Sequence, residues 1–150
     1  MTPPTTFVIG AGRLGRSLTN ALALAGWPVI GAWSRSPLTV DSLAGTPVFH
    51  GALPEAAIEA AELVVLTVPD AALSSVAARA LRPHHLAIHA SGGSPASVLR
   101  VTQESPRSVA CAHPLQSFSA AVAPPAHFHG VAFGVEGEPE AAAVGQALAR

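Results

Sequence analysis

Glycines at positions 10, 12 and 15 follow the apolar triplet Phe7-Val8-Ile9 and open a stretch of helical character, Arg13 to Ala25. A buried strand, a glycine-tight turn and a helix in that order make a place where phosphate can bind. Gly10 is read as the tight turn, Gly12 as the point where backbone approaches a pyrophosphate, and Gly15 as the contact that brings helix close to sheet. The N–H groups at the helix start have no partners inside the helix and attract anions. Gly10-Ala11-Gly12-Arg13-Leu14-Gly15 is therefore the first candidate ligand segment. Its spacing is the fingerprint of a dinucleotide-binding fold. The same spacing also occurs as a plain glycine turn in unrelated α/β domains; the flanking strand and helix favour the dinucleotide.

The end of the second strand bears on which dinucleotide. An NAD-binding chain places an acidic residue about 20 positions beyond the turn, where it holds the ribose hydroxyls. Here the strand ends Trp33-Ser34-Arg35-Ser36, without Asp or Glu. A carboxylate would repel a 2′-phosphate, whereas Arg35 can pair with it and lay its guanidinium plane on adenine. Ser34 and Ser36 can add hydroxyl donors. NADP is favoured over NAD on this ground. Arg13 is a second phosphate candidate, with a solvated helix-start residue as the equal alternative. FAD and S-adenosylmethionine fit less well: the chain lacks flavin-contacting segments and the acidic residue that holds the ribose of S-adenosylmethionine.

Acid–base chemistry would fall at the ends of later strands. His113 closes an apolar strand next to Pro114, placed to exchange a proton with a substrate hydroxyl or imine while hydride crosses to or from a nicotinamide. The alternative is a structural histidine bonded to nearby backbone. Ser91, in Ser91-Gly92-Gly93, can donate to a carboxylate or hydroxyl of a substrate, and the two glycines let backbone approach a ligand. Val68 and Pro69 are suited to line the cofactor. Asp70 reads as a helix cap rather than a catalyst. His89 follows a strand and points into the fold, His84-His85 reads as surface, and Cys111 reads as a buried structural thiol. His127 and His129 have ligand-like spacing but no acidic or cysteine companion, so no metal site is assigned.

These residues require alternating strands and helices, hence parallel strands joined by crossovers. Strands are expected near Thr6–Ile9, Pro28–Trp33, Val48–His50, Leu63–Val68, Leu86–Ala90, Ser108–Ala112 and Gly130–Val135. Helices are expected over Leu14–Ala25, Pro54–Ala61 and Ala71–Leu81, from Ser94-Pro95 to near Val101, and over Pro139–Leu148. A broken segment with Pro37, Gly45 and Pro47 lies between the second and third strands, and Val122–Phe128 reads as loop. The fold class is α/β: a Rossmann-like, mainly parallel sheet with helices on both faces, in one domain over residues 1–150.

The 150 residues are 49% hydrophobic and 11% charged, with a formal net charge of −1. That balance gives no basic surface for nucleic acid. Mean hydropathy is +0.42, much of it from alanine, and no apolar run reaches the roughly 20 residues of a membrane span. The N-terminus lacks the positive segment of a signal peptide, and with one cysteine no disulfide framework exists. A cytoplasmic location is expected.

Five signposts together carry a resemblance: Val8-Ile9-Gly10-Ala11-Gly12-Arg13-Leu14-Gly15, Trp33-Ser34-Arg35-Ser36, Val68-Pro69-Asp70, His89-Ala90-Ser91-Gly92 and His113-Pro114-Leu115-Gln116-Ser117-Phe118. The chain resembles the N-terminal Rossmann-like domain of a bacterial family, of DUF2520 type, that pairs it with an uncharacterised helical domain. More distantly it is similar to pyrroline-5-carboxylate reductases, prephenate dehydrogenases and the F420-dependent NADP oxidoreductase group. The resemblance implies a catalytic histidine at His113 and a substrate-side serine at Ser91. The lysine that accompanies that serine in prephenate dehydrogenases has no counterpart here, so aromatic-acid chemistry is not implied. In those relatives C-terminal helices close the substrate pocket and form much of the dimer; nothing in these residues resembles them. The resemblance thus implies an NADP-binding oxidoreductase domain acting on a small carbonyl, imine or hydroxy acid, homodimeric where such helices are present and inactive in isolation. A dinucleotide-binding or sensing module without chemistry is the competing reading.

Overall fold

The computed structural model describes residues 1–38, 42–119 and 122–150. Residues 39–41, part of the broken segment, lie outside that set. Along the chain run β1 (Thr6–Ile9), α1 (Arg13–Leu24), β2 (Val29–Ser34), β3 (Ser42–Leu43), β4 (Thr46–His50), α2 (Glu55–Glu59), β5 (Leu63–Leu66) and α3 (Leu73–Ala80). They are followed by β6 (Leu86–His89), β7 (Ser108–Pro114), β8 (Phe133–Gly137) and α4 (Pro139–Leu148). Short 3-10 turns occupy Asp70–Ala72, Ala96–Leu99 and Pro125–Phe128.

The sheet order is β3-β4-β2-β1-β5-β6-β7-β8. The six inner strands are parallel, and β3 and β8 pair antiparallel at the two edges. The parallel order reverses between β1 and β5, which opens a crevice at the strand C-termini there. Side chains alternate as a pleated strand requires. Phe7, Ile9, Val64 and Leu66 face a core shared with Ile58, Leu73, Val76 and Leu99. Val8, Leu63, Val65 and Ile88 face Leu18, Leu22, Ala141 and Val144. With a covered face on each side, β1 and β5 read as unbroken apolar runs. The alanine-rich α4 packs closely, as expected: a Cβ on its Gly145 would stand 3.3 Å from Ala112 Cβ and Val135 Cγ1.

Several expectations are corrected. The strand expected to stop at Ala112 continues through His113 and Pro114, which register with Gly134 and Phe133 of β8. Its parallel neighbour ends at His89, opposite Cys111, so beyond that point a proline forfeits no ladder bond on that side. The last strand begins at Phe133 rather than Gly130. Asp70 caps no helix: it opens a 3-10 turn, and no side chain caps that turn or α3. The helix expected from Ser94-Pro95 is a 3-10 turn over Ala96–Leu99 that no side chain caps; Glu136 of β8 accepts the Ala96 N–H. The β3–β4 hairpin turns on Ala44 and Gly45, both with positive φ (50° and 82°), the backbone twist that suits a two-residue hairpin loop.

The expected surface pair His84-His85 is split. His84 is exposed, but His85 is fully buried. Its Nδ1 accepts the Arg82 N–H at 2.9 Å, which leaves Nε2–H to donate to Ile58 O at 3.0 Å. Burial, aided by the neighbouring His84, holds its pKa at about 4. The polarity of the flanking residues concealed a histidine that ties α2 to the entrance of β6.

Candidate functional site

The glycine turn is locked by its neighbours. Gly10 has φ +109°, and a Cβ there would stand 2.8 Å from Thr67 C and Val68 N. Its N–H and that of Ala11 both donate to Trp33 O, at 2.7 and 2.8 Å, which ties the turn to β2. Thr67 Oγ1 donates to Gly10 O at 2.5 Å from the other side. A Cβ on Gly15 would overlap Gly10 O and stand 2.5 Å from Thr67 Oγ1. Gly12 differs: a Cβ there meets nothing within 4 Å, and its φ of −80° suits any residue. The protein's own packing leaves this position open, as a cradle for something outside it. No side chain caps the α1 start, and no acidic residue sits in its first turn. The N–H groups there carry the positive end of the helix dipole. Open space, free donors and positive potential together fit a diphosphate. Ala11 is buried, Leu14 half-buried and Arg13 exposed at the mouth.

One strand away, Trp33 is buried beneath the end of β2 and donates its indole N–H to Gly51 O at 3.1 Å. Ser34 is half-buried, and Arg35 and Ser36 are exposed. Among the described residues Arg35 makes no hydrogen bond or ion pair, so its guanidinium is available. His50, which sequence reasoning passed over, registers with Ser34 at the end of β4. Beyond β5, half-buried Val68 packs on the core and Pro69 is exposed.

Across the crevice the ends of β6 and β7 bring a second group together. His89 is fully buried, as expected. Its Nδ1 accepts the Ser91 N–H at 3.1 Å and its Nε2–H donates to Pro95 O at 3.0 Å, which ties both ends of the intervening loop. Burial lowers its pKa and keeps it neutral. Cys111 Sγ lies 3.2 Å from Ser91 O, and burial pushes its thiol up to about 11, as suits a structural group. Ser91 is half-buried, and Gly92 and Gly93 are exposed. A Cβ on Gly93 would stand 3.3 Å from Asp70 Oδ2 and 4.0 Å from Ser91 Oγ. One on Gly92 would stand 2.8 Å from His113 Cδ2 and Nε2. Ser91, Gly92, Gly93, Asp70 and half-buried His113 thus share one corner, separated from Arg35 by the width of the crevice.

Thr67, Gly134 and Glu136 belong to this frame although no motif marked them. Thr67 had a signal, as a hydroxyl ending an apolar strand; the other two sit in an edge strand whose register only the fold reveals. His127 lies apart, with Nε2 3.1 Å from Ser117 O and its ring edge-on to Phe118.

Residues 5–93 match the protein family described as NADP oxidoreductase, coenzyme F420-dependent. The chain belongs to that family. Its cofactor, by that description, is NADP, and the matched segment runs from the glycine turn to Gly93. That family is the F420-dependent group named among the more distant resemblances. No curated protein matches the chain. Among solved structures it is similar to a Bacteroides fragilis protein proposed to be an NADP oxidoreductase, with a TM-score of 0.73 and 23% identity over 99% of this chain and 56% of that one. A prephenate dehydrogenase from A. aeolicus gives 0.73 at 12% identity, with 96% and 55% covered. A Streptomyces aurantiacus imine reductase gives 0.70 at 23%, with 95% and 50% covered. These likenesses establish the Rossmann-like fold. The chain spans about half the length of the solved structures it matches.

Proposed function

We propose that this domain binds NADP(H) across the crevice and that, in the whole enzyme, hydride passes between NADP(H) and a small carbonyl, imine or hydroxy-acid substrate. The observation that carries the reading is the open cradle at Gly12 above the uncapped start of α1. Gly10, Ala11, Gly12, Arg13, Leu14 and Gly15 hold the diphosphate through backbone N–H groups, with Arg13 at the mouth. Ser34, Arg35 and Ser36 take the 2′-phosphate, and Val68 and Pro69 line the cofactor's apolar side. NADP(H), when bound, supplies or accepts the hydride.

The chain's own chemistry then lies at the opposite corner. His113 gives a proton to the reduced oxygen or nitrogen of the substrate, or removes it in the reverse direction. Among the described residues neither of its ring nitrogens is engaged in a hydrogen bond. Ser91 orients the substrate through its hydroxyl, on a loop already fixed by His89.

Titration with NADPH and NADH tests the cofactor assignment. Arg35→Ala is expected to weaken NADPH by about 10- to 100-fold, the scale of a lost charge-assisted pair, with NADH nearly unchanged. Equal affinity of the unaltered chain for both nucleotides would overturn the role given to Arg35.

A further inference from the structure

We propose that Gly92 and Gly134 form a slot fitted to an imidazole and act as positioning residues for His113; this rests on the acid–base role given to His113 above. Gly134 is the cross-strand neighbour of His113 in the β7–β8 register. A Cβ on Gly134 would overlap His113 Cε1 and stand 2.8 Å from Nδ1, whereas one on Gly92 would stand 2.8 Å from Cδ2 and Nε2. The ring is gripped on two sides by side-chain-free backbone. Neither glycine has the positive φ found at Gly10, Gly26, Gly45, Gly51, Gly130 and Gly137, so backbone conformation does not call for glycine at either position. The imidazole does.

The contrast with four of the other six histidines sharpens the point. His84, His85, His89 and His127 are each held by hydrogen bonds to a ring nitrogen. His113 is held by shape, which fixes the ring and leaves both nitrogens free. A ring laid over a cross-strand glycine stabilises a sheet by itself. The second wall, on a separate loop, is what converts that contact into a slot.

Both walls hang on β8. Gly134 lies within it, and Glu136, two residues on, accepts the Ala96 N–H at the far end of the Gly92 loop. Glu138 takes Arg100 in a two-pronged pair at 2.7 and 2.6 Å and accepts the Val109 N–H at 3.2 Å. His89 closes the near end of the same loop. One edge strand therefore sets the slot's width.

The test is a double-mutant cycle on the 150-residue chain, read by urea unfolding at pH 7. Gly134→Ala is expected to lower the urea midpoint by about 0.5–1 M with His113 present, the scale of overpacking. In the His113→Ala background it should cost less than about 0.2 M, because the colliding ring is gone. Gly92→Ala should couple to His113 in the same sense. Equal loss in both backgrounds overturns the proposal. If Gly134→Ala fails to fold, folding restored by His113→Ala supports the slot, and failure in both backgrounds overturns it. As a second readout, the His113 Cε1–H resonance should move in Glu136→Ala and return in Glu136→Gln, whose amide oxygen can still accept the Ala96 N–H. An unmoved resonance in Glu136→Ala would remove β8's part in setting the width. None of these measurements needs nucleotide. A failed NADPH titration would therefore remove the acid–base reading while leaving the coupling intact, and absent coupling beside normal NADPH binding would remove the slot alone.

Discussion

Gly12 and Gly15 stand three residues apart and answer to different demands. A methyl on Gly15 runs into the carbonyl of Gly10, whereas one on Gly12 runs into open space. Gly15→Ala is therefore expected to destabilise the fold by about 3 kcal/mol or more, since the colliding atom is backbone and cannot rotate away. Gly12→Ala should cost about 1 kcal/mol at most, the loss of a tolerant helix-start residue, yet weaken NADPH at least about 10-fold. Thermal unfolding and nucleotide titration of the two variants separate the effects; comparable stability losses would refute the distinction. At this scale the sequence was legible wherever a residue's task is local. The glycine spacing and the buried thiol of Cys111 could both be read from neighbours along the chain. His85 could not, because its partners are Ile58 O, 27 residues away, and an N–H three residues back that becomes available only once α3 has ended.

At the level of elements, that same histidine makes part of the α2–β6 junction sensitive to acid. His85 has a folded pKa of about 4 against an unfolded value of 6.5. The unfolded chain takes up a proton as pH falls through 6.5, while the folded chain resists until about 4, so stability drops across that window and levels off below it. The contribution between pH 7 and pH 5 is about 2 kcal/mol. Urea unfolding of the unaltered chain should show this slope, and His85→Gln should lose correspondingly less over the same interval. An identical slope in the variant would exclude His85 as its source. Elements whose signals are strong and local, such as β1, β5 and α4, were legible to within a residue or two. The continuation of β7 and the start of β8 were not, because an edge pairing decides them and no local pattern announces which strand a proline will face. The corner holding His113 was thus foreseen as residues, but its walls were not.

The molecule as a whole is a frame about half as long as the oxidoreductases it resembles, with its strand order reversing between β1 and β5. Hydride transfer benefits from a substrate held in place and shielded from water. The 150-residue chain is accordingly expected to bind NADPH with little or no turnover. In a longer chain that supplies the substrate side, His113→Ala should leave NADPH affinity within about two-fold and reduce turnover by about 10²–10⁴, the usual worth of a general acid–base group. Unchanged turnover there would dismiss His113 from the chemistry. Among the described residues no helix is long and apolar enough to cross a membrane.

The sole thiol lies against the carbonyl of Ser91 and is kept protonated by burial. Alkylating reagents reach such a sulfur only when the structure around it opens. The labelling rate of Cys111 is therefore expected to clock local opening around Ser91, with no probe added to the chain.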